Sequence, residues 1–169
     1  MRYLLLSMLF ATLFSLPTGS VAEEAPLRLE LSIPRSTYLG GKATLQILVR
    51  NMTSREVDFD APPGGMRAEA HYRLTFCHED GRIVPLTAYG RALNQQSLGP
   101  DDPANNFVIG GSSMIVHLAP EEFFRETIEL GDIFQIDEAG RYEVTIEREF
   151  PTQPAAGTIK SNTLTMTVH

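Results

Sequence analysis

Apolar side chains recur at every second position through most of this chain, and that period of two limits what it can fold into. Leu27, Leu29, Leu31 and Ile33 alternate with Arg28, Glu30 and Ser32 until Pro34 ends the run. Ala43, Leu45, Ile47 and Val49 repeat the pattern up to Asn51. Further runs follow at Val57 and Phe59, at Tyr72, Leu74 and Phe76, and at Met114, Val116 and Leu118. Phe124, Glu126, Ile128 and Leu130 share a parity, as do Tyr142, Val144 and Ile146, and lastly Leu164, Met166 and Val168. Successive strand side chains point to opposite faces, so each run predicts a strand with one buried face. Turn residues separate the runs: Gly40-Gly41, Pro62-Pro63-Gly64-Gly65, Gly110-Gly111 and the loop from Pro151 to Gly157. Asp80-Gly81, leading into Ile83 and Val84, is the clearest hairpin. Pattern resumes at Phe107, Val108 and Ile109 after a polar stretch, and Asp132 to Ile136 reads as one helical turn. Eight or nine short strands without a long helix predict an all-β antiparallel β-sandwich with Greek-key links; a barrel is the alternative.

The stretch from Gly131 to Glu147 organises the rest. Gly140 precedes Tyr142 by two residues, and Val144 follows by two. That layout predicts a tyrosine corner, in which the ring enters the core while the phenol bonds to backbone just upstream. Gly140 and Tyr142 are therefore expected to be structural.

The first residues read as an address. Arg2 gives a short positive start, Tyr3 to Leu16 is almost continuously apolar, and Ser20-Val21-Ala22 offers a small-x-small cleavage pattern. The apolar run is shorter than the ~20 residues a membrane span needs. The expectation is a cleaved signal peptide over 1–22 and a single domain over 23–169, secreted or periplasmic. With 21 acidic against 14 basic residues the net charge is -7, which argues against nucleic acid and against anionic lipid. Cys77 is the only cysteine, so no intrachain disulfide is possible, and a chain of this length can build a core without one.

One segment breaks the rhythm. From Thr87 to Asn106 the chain turns polar and rich in Asn, Asp and Pro, and long connections in compact domains are usually functional or disordered. Tyr89-Gly90-Arg91 at its start carries residue types enriched at interfaces, with Gly90 allowing a bend or a close approach. The competing account is a strand edge on which Tyr89 packs and Arg91 pairs with an acidic neighbour. Asp101, Asp102, Asn105 and Asn106 gather oxygen donors that suit calcium, although they lack its alternating pattern and also suit local Asx turns. Tyr89, Arg91, Asp101 and Asp102 are the candidate binding residues.

Catalytic and metal motifs are weak. His71, His78, His117 and His169 have no ligand spacing on one element, and no Cys-x-x-Cys occurs. Cys77 could act as a nucleophile with His71 or His117, or be an inert half-exposed thiol. Asn51-Met52-Thr53 is a formal glycosylation sequon. No cofactor is expected.

The order Tyr38-Leu39-Gly40-Gly41, Val49-Arg50-Asn51, Gly81-Arg82-x-Val84-Pro85-Leu86-Thr87, Tyr89-Gly90-Arg91, Asp132-x-Phe134 and Gly140-x-Tyr142 resembles secreted bacterial immunoglobulin-like β-sandwich modules. It is similar to the N-terminal module beside some aspzincin-type metallopeptidases and, more distantly, to the intracellular proteinase inhibitor family. The resemblance implies an immunoglobulin-like sandwich. Peptidase activity does not carry over, since His-Glu-x-x-His is missing. The functional expectation is a non-catalytic binding or accessory module for a protein or peptide partner. A proteinase inhibitor acting through an exposed loop is the alternative, and a metal-binding periplasmic protein a further one.

Overall fold

The computed structural model describes residues 25–34, 39, 43–63, 67–96, 98–109, 113–150 and 157–169. The signal peptide expected over 1–22, the turns expected at Gly40-Gly41, Gly64-Gly65 and Gly110-Gly111, and most of the loop expected from Pro151 to Gly157 lie outside the described residues. Nine strands are described: β1 (Leu27–Ser32), β2 (Thr44–Asn51), β3 (Val57–Ala61), β4 (Arg73–His78), β5 (Met114–Leu118), β6 (Phe123–Glu129), β7 (Gly140–Phe150), β8 (Gly157–Lys160) and β9 (Leu164–Val168). Two short helices join them, α1 (Ala88–Leu93) and α2 (Leu130–Ile133).

The protein is an all-β antiparallel sandwich. One sheet has the order β1-β2-β6; the other is built on β7, which pairs β4 on one side and both β8 and β9 on the other. A β3–β5 ladder forms a third, two-stranded sheet. Strands far apart in sequence are neighbours, so the connections cross between sheets as Greek-key links do. The alternation read from the sequence is the alternation of burial: Leu27, Leu29 and Leu31, then Leu45, Ile47 and Val49, then Tyr142, Val144 and Ile146 all lie in one core.

Tyr142 is buried and its phenol donates to the Glu138 carbonyl at 2.6 Å. Its ring stacks on Phe76 with centroids 5.1 Å apart. Gly140 opens β7 with φ +156°, a backbone conformation that L side chains rarely adopt.

Asn51 sits at the end of β2, fully buried, with its amide donating to the carbonyls of Arg55, Leu118 and Ala119. It knots β2, the turn before β3 and the end of β5 together. The sequon at Asn51 is thus a packing device, because glycosylation of that amide would need the knot undone.

β7 extends inward-facing positions beyond Ile146 to Arg148 and Phe150. Arg148 lies inside the sandwich opposite Glu126 of β6, with Nη1 3.3 Å from Oε2. The Tyr72 phenol donates to the same carboxylate oxygen and accepts from Arg148 Nη1 at 3.1 Å. Arg148 Nη2 donates to the Asp60 carbonyl on β3. One guanidinium carried by β7 therefore bonds to groups on both other sheets, Glu126 of β6 and Asp60 of β3, which is what allows a charge pair to sit in an apolar core.

Two expectations change, and one strand has no counterpart among them. The Asp80-Gly81 hairpin forms, but its return arm is reduced to a Cys77–Ile83 bridge, since Pro85 has no N–H to continue the ladder. Phe107 to Ile109 carry no strand pairing. β8 was invisible in the pattern, because only Ile159 of its four residues is buried and one apolar residue has no period.

Candidate functional site

The connection between β4 and β5 is a built structure. Thr87 caps α1: its hydroxyl accepts from the Gly90 N–H at 3.0 Å and donates to the Asp132 carbonyl of α2 at 2.6 Å. Tyr89-Gly90-Arg91 is thus part of a helix, in place of the strand edge of the competing account, although Tyr89 packs and Arg91 pairs with an acidic neighbour as that account has it. Gly90 is buried against α2, and a Cβ built on it would lie 2.1 Å from the Ile133 carbonyl oxygen. Its lack of a side chain serves packing between two helices.

Arg91 points from α1 to Asp102, with Nη2 2.7 Å from Oδ1 and Nε 3.2 Å from Oδ2. Asp102 also accepts from the backbone N–H of Leu98 at 2.7 Å and of Ala104 at 2.9 Å, capping the 3-10 turn Pro103–Asn106. Its carboxyl is held well below the ordinary range, first by Arg91 and then by those two N–H groups. The Asn105 amide donates to the carbonyls of Gly99 and Pro100. These oxygens and amides are already engaged within the loop, and the charge facing Asp102 is a guanidinium, so the calcium reading of this cluster is corrected to a loop clamp. Asp101 is exposed beside it.

Tyr89 donates its phenol to Glu69, and burial together with that carboxylate pushes its pKa up. Its ring meets Phe107 edge-on with centroids 5.4 Å apart. The Val108 carbonyl accepts from Arg67 Nη1 at 2.7 Å. Tyr89, Arg91 and Asp102 therefore hold the connection in place. Among the described residues that follow α1, the large apolar side chains presented outward are Leu98, 82% exposed, Val108, 84% exposed, and Phe107, 44% exposed. Large apolar groups this exposed on an ordered segment are the feature that sequence reasoning passed over. Phe107 and Val108 read as strand residues, and Leu98 lay in a polar run. No residue type distinguishes an apolar side chain that will be displayed from one that will be buried.

The histidines scatter. His71 lines an open cleft of about 290 Å³ with Tyr72, Arg73, Asn94, Glu147 and Arg148, and burial and then Arg148 push its pKa down. His117 is on β5, in a different sheet from Cys77 on β4. The Cys77 thiol is half-buried, 3.9 Å from the Glu143 carbonyl, and burial with Glu143 and Asp80 pushes its pKa up, the opposite of what a nucleophile needs. Among the described residues no helix is long and apolar enough to cross a membrane.

No family model matches the chain, and no curated protein matches it.

Proposed function

We propose that the protein is an exported, non-catalytic β-sandwich module that recognises a protein or peptide partner through the part of the β4–β5 connection that follows α1. One observation carries this reading: Leu98, Phe107 and Val108 are exposed on a segment clamped by Arg91 and Asp102. Exposed apolar groups cost solubility, and a rigid platform removes the ordering cost that a floppy loop would pay on binding. Recognition from a loop held on a rigid scaffold is a common arrangement in such folds. Export rests on the leader-like first 22 residues.

The test places a photo-crosslinking residue at Leu98 or Val108, and at Ile83, which is also 81% exposed but lies on the β4 hairpin. The expected result is one adduct band in the envelope or secreted fraction from positions 98 and 108 alone, lost in a Phe107→Asp background. Equal adducts from all three positions would place recognition elsewhere.

A further inference from the structure

We propose that Glu56, Asp58 and His117 form a surface site for a first-row divalent transition ion of the zinc class. Asp58 on β3 and His117 on β5 are direct partners in the antiparallel ladder. Side chains so paired lie on one face with Cβ atoms about 5 Å apart. Val57 and Phe59 on one strand, and Val116 and Leu118 on the other, point the opposite way into the core. The ladder thus fixes both ligand-bearing positions outward. Glu56, just before β3, completes the group.

The three ligand atoms lie within 4.8 Å of one another. His117 Nδ1 is 2.7 Å from Asp58 Oδ1 and 3.9 Å from Glu56 Oε1. Around a tetrahedral zinc with bonds of ~2.0–2.1 Å, neighbouring donor atoms stand about 3.3 Å apart. The two observed separations bracket that value, so small side-chain rotations bring all three onto one ion. The donors are one imidazole nitrogen and two carboxylates. An imidazole favours zinc, copper or nickel over calcium, which takes six to eight oxygens. All three side chains are more than half exposed, leaving water to fill the remaining positions and an open path for entry. The acidic chain supplies a favourable field for a cation. The competing account is that the three form only an ion pair.

Calorimetric titration of the purified protein with zinc chloride distinguishes them. One site per chain is expected, with calcium chloride binding at least about tenfold more weakly. His117→Ala and Asp58→Asn should each weaken zinc by about tenfold or more, while His169→Ala should leave it unchanged. All these side chains are exposed, and far-UV circular dichroism checks that each variant is folded. No zinc heat, or zinc binding that His117→Ala leaves intact, would overturn the proposal. Equal affinity for calcium and zinc would do the same.

Discussion

Arg91 and Asp102 form a two-pronged bridge across the β4–β5 connection, Nη2 to Oδ1 at 2.7 Å and Nε to Oδ2 at 3.2 Å. The Asp102 side chain is 2% exposed there, the Arg91 side chain 18%. Parallel N–H···O bonds from one guanidinium set direction as well as distance. They bind α1 to the 3-10 turn that follows, which is how a polar run of Asn, Asp and Pro becomes ordered.

Asp102→Asn keeps the shape and removes the charge. The expected outcome, read by hydrogen exchange, is faster exchange of the Leu98 and Ala104 amides with the β2 and β7 ladders unchanged. The pH dependence has a definite sign. The folded-state carboxyl lies below its ordinary value of 3.8, so the native state binds fewer protons than the unfolded chain in acid. The stabilisation is complete above the unfolded value and is lost as pH falls through the folded one. In wild type those amides should stay protected down to pH values where ordinary carboxylates have titrated, then open. Asp102→Asn should show no such acid step. A step of equal size in both proteins would assign it to another group.

Tyr142→Phe retains the stack on Phe76 and loses the bond to the Glu138 carbonyl. A single hydrogen bond of this kind contributes about 1 kcal/mol net. Urea unfolding should show a lower midpoint with an unchanged slope. A midpoint equal to that of wild type would mean that the phenol bond adds nothing to the corner.

Much of the fold was legible because burial has a period. Leu27 to Leu31 and Leu45 to Val49 declare a strand by alternation alone, and Gly140 with Tyr142 declares a corner by spacing. What was illegible depends on partners distant in sequence. Glu126 sits at an inward position of β6, and nothing local says that Arg148, 22 residues on, will neutralise it. Asp58 and His117, 59 residues apart, become neighbours only through strand register. Tyr89, Arg91 and Asp102 were singled out by residue type. The structure uses them to hold the connection, and leaves display to Leu98, Phe107 and Val108.

The Glu126–Arg148 pair permits a sharper test of what buried charge costs. Arg148→Met leaves Glu126, 2% exposed, without its cation, and leaves the Asp60 carbonyl without its donor. Breaking one side of such a pair typically costs ~3–5 kcal/mol. Combining Arg148→Met with Glu126→Leu should recover most of that loss, because neither charge then remains buried. Chemical denaturation of the two single variants and the double variant gives the coupling directly. A double variant as unstable as the sum of the singles would mean that the cluster's hydrogen bonds, and not its charges, hold the sheets together.

Gly90 offers the most localised perturbation. It lies in the first turns of α1, where alanine is ordinarily the better helix former by about 0.8–1 kcal/mol. Propensity alone therefore predicts that Gly90→Ala stabilises. Packing predicts the reverse: the new Cβ would stand 2.1 Å from the Ile133 carbonyl oxygen, a backbone atom of α2, and 3.2 Å from the Ile133 Cγ2. Backbone cannot rotate away as a side-chain tip can, so α1 must lift from α2. That movement strains the Thr87 bonds to Asp132 and Ile133. Overpacking of this kind costs about 1–3 kcal/mol, enough to outweigh the gain in propensity. Thermal unfolding of Gly90→Ala should show a lower midpoint, and hydrogen exchange should localise the loosening to residues 87–93 and 130–134. A variant as stable as wild type would mean that α1 can move away from α2 at no cost, and that the clamp at Asp102 alone positions the connection.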